Sequence, residues 1–357
     1  MEFLKALLIV SEKAANIARR IREDELLFRL LVEKKDNDEA NPRFVEDFKT
    51  LADVLIQEMV KHDIKEQFPG IGQRICGEES NEFRNQLGEK IKVEIKPNLE
   101  ETSSLLSKVL NGDTETADIL ATEVHKTISL DEVNATLPVR DFDLNIERVG
   151  IWIDPIDATF EYINGVEKGC DKGIYLSGLN CVTILIGVFD QETGKSIIGV
   201  INRPFHKDTS SQRCIWGVAL NCTTNLSPFV VANTKASTNV ICLSSSESPA
   251  IKEKLKSAGY ELVESCGAGY KMLTVILGLA DAYILSKPTT YFWDTCAPQA
   301  ILRMMGGDVI RYDEAMMDGS RVEVEYAFCT SRCNNGGIIA YSSEKILTDV
   351  MSALSRE

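Results

Sequence analysis

Val149-Gly150-Ile151-Trp152-Ile153-Asp154-Pro155-Ile156-Asp157-Ala158-Thr159 is the stretch on which the fold turns. The run from Val149 to Ile153 reads as a buried β-strand by its length and β-propensity. It leads into an acid, a proline, a second acid and a threonine, then into a short helix reaching Asn164-Gly165. Two carboxylates three residues apart at a strand end project into one space, and Pro155 fixes the backbone between them. Hard oxygen ligands in fixed geometry suit Mg²⁺. The N–H groups of Ala158 and Thr159 open the helix and offer a seat for phosphate. The competing reading is structural: the acids do turn and capping work, with Asp157 as the helix N-cap.

Outward from this stretch, alternation and turn signals predict strands over 181–189 and 196–202, joined by a hairpin at 190–195. A further strand is expected over 213–220, giving a meander that is antiparallel at least in part. From residue 240 strands and helices alternate. Strands are predicted over 240–244, 260–263, 281–285, 309–312 and 338–341, and helices over 248–258, 269–279, 294–305 and from about Ser343. Towards the N-terminus, apolar spacing predicts helices over 3–20 and 44–59. The second carries Phe44, Phe48, Leu51, Leu55 and Met59 as one stripe. Ile75-Cys76-Gly77 is a short apolar run that stops at Glu78-Glu79. Residues 81–147 are rich in acids, have helical pieces over 99–110 and 114–125, and read as a surface insertion. The alternation implies an α/β fold, with an N-terminal lobe over 1–236 and a C-terminal lobe over 237–357.

At 357 residues the chain is long enough for about two domains. Its 44% apolar content argues against disorder. With 39 basic and 54 acidic residues the net charge is −15, which argues against nucleic-acid binding and disfavours an anionic membrane face. A polyanionic substrate stays open, provided metal ions bring positive charge to it. The ten cysteines form no CxxC pair, and His62, His125 and His206 lack ligand-like spacing, so zinc and iron–sulfur sites are not expected. Free thiols in a reducing compartment are. No apolar run approaches the roughly 20 residues of a membrane helix, and the first 20 residues lack a signal-peptide pattern. The cytoplasm is the expected location.

Four further places could carry chemistry. Glu78-Glu79 follow a buried strand, where paired acids are either solvated or hold a cation. Asp294, in Trp293-Asp294-Thr295-Cys296-Ala297-Pro298, reads as an N-cap, a role that leaves one carboxylate oxygen for a metal. Asp53 lies opposite the apolar stripe of its helix, as an ordinary solvated acid or as a base that holds the Thr159 hydroxyl. Gly267-Ala268-Gly269-Tyr270-Lys271 lacks the complete pattern of a dinucleotide or P-loop motif. It reads as a plain helix entry or as a helix start plus a cation for a phosphate or hydroxyl. Several acids at element ends, one threonine and no Cys/His ligands point to metal-assisted displacement at phosphorus.

Together Glu78-Glu79, Asp154-Pro155-Ile156-Asp157-Ala158-Thr159 and Trp293-Asp294 resemble, in order and spacing, the three signatures of the lithium-sensitive, Mg²⁺-dependent phosphomonoesterase superfamily. That group includes the inositol monophosphatases, fructose-1,6-bisphosphatases, bisphosphate nucleotidases and inositol polyphosphate 1-phosphatases. The chain is most similar to the last branch, over nearly its whole length. The resemblance there rests on Val10-Ser11-Glu12-Lys13-Ala14-Ala15-Asn16-Ile17-Ala18-Arg19, Phe48-Lys49-Thr50-Leu51-Ala52-Asp53-Val54, Ser177-Gly178-Leu179-Asn180-Cys181-Val182-Thr183 and the Gly267–Lys271 block.

The resemblance implies an α-β-α-β-α layered sandwich and two or three Mg²⁺ ions, with inhibition by Li⁺ and Ca²⁺. It implies that Glu78, Asp154 and the Ile156 carbonyl hold one ion, that Asp154, Asp157 and Asp294 hold a second, and that Glu79 orders water beside the first. Asp53 accepts from Thr159, which orients the attacking water. Ala158 and Thr159 meet the scissile phosphate through N–H groups. Gly267, Ala268, Lys271 and Ser246 contact the ring or its remaining phosphate. The implied substrates are small inositol polyphosphates, cleaved at the 1-phosphate by a monomer. Three features depart from the branch pattern. Ala158 stands where Ser or Gly is usual, Ser248 where a Lys is usual, and the Trp293–Pro298 block reads more like the nucleotidases. A bisphosphate nucleotidase, or an inactive relative that binds inositol phosphates, is the alternative.

Overall fold

The computed structural model describes residues 1–23, 32–35, 48–133, 135–137, 142–207, 213–220, 225–228, 230, 237–329 and 331–355. Two helices, α1 (Glu2–Glu23) and α2 (Leu51–Gln67), form the first layer. Phe3, Leu4, Leu7, Val10, Ala14, Ile17 and Ile21 of α1 pack with Leu51, Val54, Leu55 and Met59 of α2 in one apolar cluster. Helix α2 begins at Leu51, later than the apolar stripe suggests. Thr50 caps it, with Asp53 reaching back to the Thr50 N–H at 2.6 Å. Before the cap, β1 (Val32–Lys34) and β2 (Phe48–Thr50) form an antiparallel pair. The predicted start at Phe44 lies outside the described residues.

The second layer is a six-stranded sheet. In chain order its strands are β3 (Ile75–Gly77), β6 (Val149–Asp157), β9 (Thr183–Asp190), β10 (Ser196–Asn202), β11 (Cys214–Val218) and β12 (Asn225–Leu226). Small hairpins, β4 (Glu82–Arg84) with β5 (Lys90–Lys92) and β7 (Cys170–Asp171) with β8 (Ile174–Tyr175), stand apart from it. The order across the sheet is β12-β11-β10-β9-β6-β3, antiparallel except for the edge pair β3 and β6. The insertion folds as α3 (Leu99–Val109), α4 (Thr114–His125) and α5 (Leu130–Val133). Leu106, Val109, Leu120 and Val124 join the same cluster as α1, so these helices extend the first layer.

Past the short α6 (Thr159–Asn164), the chain builds the remaining layers from strands β13 (Val240–Leu243), β14 (Glu261–Glu264), β15 (Ala282–Leu285), β16 (Asp308–Arg311) and β17 (Ile338–Tyr341). Their order is β14-β13-β15-β17-β16, parallel for β14-β13-β15 and antiparallel beyond. Helices α8 (Ala268–Ile276) and α9 (Phe292–Met305) lie between the two sheets, with Trp152, Leu185 and Phe189 from one and Cys242, Tyr283 and Leu285 from the other. Helices α7 (Pro249–Ser257), α10 (Tyr312–Asp318) and α11 (Glu344–Leu354) cover the far face, where Ile241, Leu243 and Ile284 pack. Residues therefore alternate between clusters along each strand, as a period of two demands. The result is the expected α-β-α-β-α sandwich.

Helix α9 reaches the first sheet through three glycines in register, Gly187, Gly199 and Gly217 on β9, β10 and β11. A Cβ on Gly199 would lie 2.0 Å from the Ala297 carbonyl oxygen, and one on Gly187 2.6 Å from the Ala297 nitrogen. The missing side chains set how close α9, and Asp294 with it, comes to the strands. The nine described cysteines are free; Cys222 lies outside the described residues. Among the described residues no helix is long and apolar enough to cross a membrane.

Candidate active site

All nine residues of β6 are buried. Side chains three apart on a regular strand face opposite ways, yet Asp154 and Asp157 share one space. The register explains it. Asp154 pairs with Leu185 and Asp157 with Thr183, so three steps on β6 oppose two on β9. This one-residue bulge turns Asp157 back to the Asp154 side. Asp157 does not cap the helix after it. Ala158 is the N-cap of α6, in the left-handed conformation at φ 70°, which explains why Gly suits that position. The Asp157 carboxylate instead receives Ala268 N–H at 3.1 Å, Tyr270 N–H at 3.3 Å and Thr183 Oγ1 at 3.0 Å, and so caps α8 across the layers.

Asp294 comes from α9. That helix starts two residues before the prediction, at Phe292, so Asp294 is the third residue of its first turn and reaches back to the Tyr291 N–H at 2.6 Å. One carboxylate oxygen from each of Asp154, Asp157 and Asp294 lies within 4.8 Å of the others, and all three residues are buried. Among the described residues, Asp154 Oδ1 is buried with no hydrogen-bond partner. Burial first, and the neighbouring carboxylates second, push Asp154 and Asp294 well above the usual carboxylate range. Three gathered acids with an unsatisfied oxygen could hold a hard cation.

Glu78 and Glu79 stand beside this cluster. Strand β3 runs parallel to β6 with Gly77 opposite Ile153, and Glu78 N–H continues the ladder to the Ile153 carbonyl at 3.1 Å. Glu78 is thus the neighbour of Asp154. Gln57 of α2 clamps the Glu79 backbone, accepting its N–H at 3.0 Å and donating to its carbonyl at 2.6 Å. The absence of a side chain at Gly77 leaves room for that amide. Lys35 lies against both acids, its ammonium 2.7 Å from Glu78 Oε1 and 2.6 Å from Glu79 Oε1. Even so, burial pushes Glu79 up to about 8. Asp53, fully buried rather than solvated, is pushed up to about 7 for the same reason.

Three residues of the expected site have partners of their own within the chain. Thr159 Oγ1 donates to the Ile156 carbonyl at 3.1 Å and not to Asp53, while Asp53 Oδ2 accepts from Thr50 N–H and Oγ1. Asp53 Oδ1 is left buried and unsatisfied among the described residues. Lys271 is fully buried between the sheets, donating to the Gly267 carbonyl at 2.7 Å and the Ser265 carbonyl at 3.3 Å, so it braces the start of α8. The Ala268 N–H, at another residue expected near the ring, serves Asp157. Gly267 precedes α8 at φ 74°. Ser246 sits exposed in the turn after β13, its carbonyl accepting from Lys287.

A family model described as the inositol monophosphatase family matches residues 4–347. The chain belongs to the inositol monophosphatase family. Within it, the chain is 43% identical to inositol polyphosphate 1-phosphatase of Mus musculus, covering 99% of this chain and 97% of that one. It is 42% identical to the Bos taurus protein of the same name over the same shares. A 3′(2′),5′-bisphosphate nucleotidase 1 of Mus musculus is 33% identical over 45% of this chain and 49% of its own. Among solved structures, the extragenic suppressor protein suhB of Bartonella henselae superposes with TM-score 0.58 at 14% identity, covering 100% and 99% of the two chains. The Thermotoga maritima IMPase superposes at 0.54 and 13%, covering 99% and 98%. These structures share the fold. The family and the full-length relatives make the chain a phosphatase.

Proposed function

We propose that the chain is a magnesium-dependent, lithium-inhibited phosphatase that removes the 1-phosphate of inositol 1,4-bisphosphate and inositol 1,3,4-trisphosphate. The observation that carries the reading is the buried Asp154–Asp157–Asp294 cluster with its unsatisfied Asp154 oxygen, in a chain similar along its whole length to inositol polyphosphate 1-phosphatases. Glu78, Asp154 and the Ile156 carbonyl would hold one Mg²⁺, and Asp154, Asp157 and Asp294 a second, with Glu79 beside the first. Bound Mg²⁺ lowers the pKa of water and neutralises phosphate oxygens. Calcium, taking more and longer oxygen contacts, would inhibit.

The chain's own groups do the rest. Asp157 is fixed by the two α8 N–H groups and Thr183, so it needs no reordering to bind. Asp53 Oδ1 is an open acceptor for the Thr159 hydroxyl. Rotation of Thr159 towards it would also release the Ile156 carbonyl for the cation. The helix start at Ala158 and Thr159 offers N–H groups to the scissile phosphate, and we assign the Gly267–Ala268 turn and Ser246 to the ring or its remaining phosphate. We place the site between an N-terminal lobe (1–236) and a C-terminal lobe (237–357), in a cytoplasmic monomer of inositol phosphate signalling that acts on small molecules.

Phosphate release with Mg²⁺ from inositol 1,4-bisphosphate, inositol 1-phosphate and adenosine 3′,5′-bisphosphate, each with and without lithium, tests the reading. Lithium-sensitive release, fastest from inositol 1,4-bisphosphate, is expected. A nucleotide preference would overturn the substrate and make the Trp293–Pro298 block the better guide. No release from any of the three would mean an inactive relative.

A further inference from the structure

Arg332 stands out among the cations of this acidic chain. It is exposed, and among the described residues no hydrogen bond or ion pair engages its guanidinium. The group rests instead over the buried Trp152 ring, 5.5 Å from its centroid. Its backbone is held, since the Arg332 carbonyl accepts from Phe292 N–H at 2.9 Å in the first turn of α9, two residues before Asp294.

The sheet register says where that places the charge. Trp152 pairs with Cys76 across β6 and β3, and both face the layer between the sheets. The next pair on that same face is Asp154 with Glu78, about 6.6 Å further along at the usual rise per residue. The guanidinium also acts on the Cys76 thiol, opposing the rise that burial gives it. Arg332 is thus flanked by the strands that carry Glu78 and Asp154 and by the helix that carries Asp294. A planar fork of five donors that no described residue engages, parked on an aromatic face beside a phosphate-cleaving site, is a receptor for a second anionic oxygen group. Asp157 consumes the Ala268 N–H, Lys271 is spent on carbonyls, and Ser248 supplies no charge.

We propose that Arg332 binds the phosphate that is not cleaved and so sets the preference of this enzyme for bisphosphorylated over monophosphorylated substrates. The inference rests on the phosphatase reading above, but not on which bisphosphate is the substrate. It is tested by steady-state kinetics of Arg332→Gln and Arg332→Lys on inositol 1,4-bisphosphate and inositol 1-phosphate, with melting temperatures to confirm folding. Arg332→Met, which keeps an apolar stem on Trp152, separates loss of the charge from loss of packing.

The expected result is a KM for the bisphosphate raised about tenfold in Arg332→Gln and Arg332→Met, with kcat unchanged and the monophosphate KM within about twofold of wild type. Arg332→Lys should fall between, because a point charge replaces the fork. Equal KM changes for both substrates, or none, would overturn the role. If the wild type prefers adenosine 3′,5′-bisphosphate, the inositol reading fails. The same comparison on that nucleotide against adenosine 5′-monophosphate then decides the inference by itself. Absence of turnover on every substrate overturns both.

Discussion

Replacing Asp154 by Asn should make the metal-free protein more stable while abolishing its chemistry. Three carboxylates with oxygens within 4.8 Å of one another repel when ionised. At that distance and an effective dielectric of about 20, each pair costs about 3.5 kcal/mol. Asp154 belongs to two such pairs and also feels Glu78 and Asp53. Protons held by the raised acids relieve most of this, so a net gain of about 2 kcal/mol is expected, read as roughly 3 °C in a chain of this length. Nothing offsets it through lost hydrogen bonds, because Asp154 Oδ1 has no partner and an Asn amide could donate to Asp157 or Asp294. Mg²⁺ should act oppositely on the two proteins. A ligand at about a hundred times its Kd adds about 2.7 kcal/mol, which the wild type should show as a rise of roughly 4 °C. The variant should show no rise and no phosphate release. Calorimetric melts with EDTA and with Mg²⁺ make the comparison. An Asp154→Asn protein that melts lower without metal, or that keeps its Mg²⁺ response and activity, would refute the assignment of Asp154 as the shared ligand.

Lys35→Met should have the reverse signature in the metal-free protein. Stripping the counter-charge from Glu78 and the buried Glu79 should cost about 3 kcal/mol, and added Mg²⁺ should restore most of it in the same melts. The pH dependence follows from Asp53, pushed up to about 7, and Glu79, pushed up to about 8, both by burial. The folded chain holds protons there that the unfolded chain has released above about pH 4.5, so metal-free stability should fall as pH rises from about 5 to about 8. Mg²⁺ affinity measured by titration calorimetry should rise over the same range, since the cation competes with those protons. Gly199→Ala places a Cβ 2.0 Å from the Ala297 carbonyl. It should cost about 2 kcal/mol in denaturant melts and lower kcat more than the melt alone accounts for, because α9 carries Asp294. A variant as stable and as active as wild type would show that the glycine row does not set the helix position.

The strands, the alternation after residue 240 and the three acidic blocks were legible because each is a local pattern: a run length, a period or an acid at an element end. What escaped reading was the result of contacts between distant segments. Two acids at an odd spacing share a face only because β6 carries one extra residue against β9, and nothing local in Asp154-Pro155-Ile156-Asp157 announces a bulge. The second helix was misplaced because Phe48 fits a helical stripe by spacing, yet Thr50 and Asp53 form a capping box that starts the helix at Leu51. Lys35 was invisible inside a stretch of mixed charge, where its neighbours Lys34 and Asp36 look equally solvated. Thr183, which fixes Asp157, is a lone polar residue in an apolar run, and that incongruity was its one signal; Gln57, which fixes Glu79, sits beside Glu58 on its helix and had none.

Lys271 illustrates how burial bears on such a role. By sequence it is a cation at a helix start, the usual place to meet a phosphate. The helix it opens, however, lies between two sheets, and an ammonium taken out of water there must use its donors on the nearest acceptors. Those are the carbonyls of Ser265 and Gly267, on the turn whose following N–H groups hold Asp157. Its charge still reaches the site, acting on Asp157 and Asp294 to favour their ionised forms. Lys271→Met should therefore weaken Mg²⁺ binding and lower kcat, through a loosened Asp157 and two more readily protonated carboxylates, while a direct substrate contact would raise KM alone. Kinetics at saturating Mg²⁺ separate the two: a kcat that recovers with added metal supports the bracing role, and a KM defect that metal does not change would assign Lys271 to the substrate.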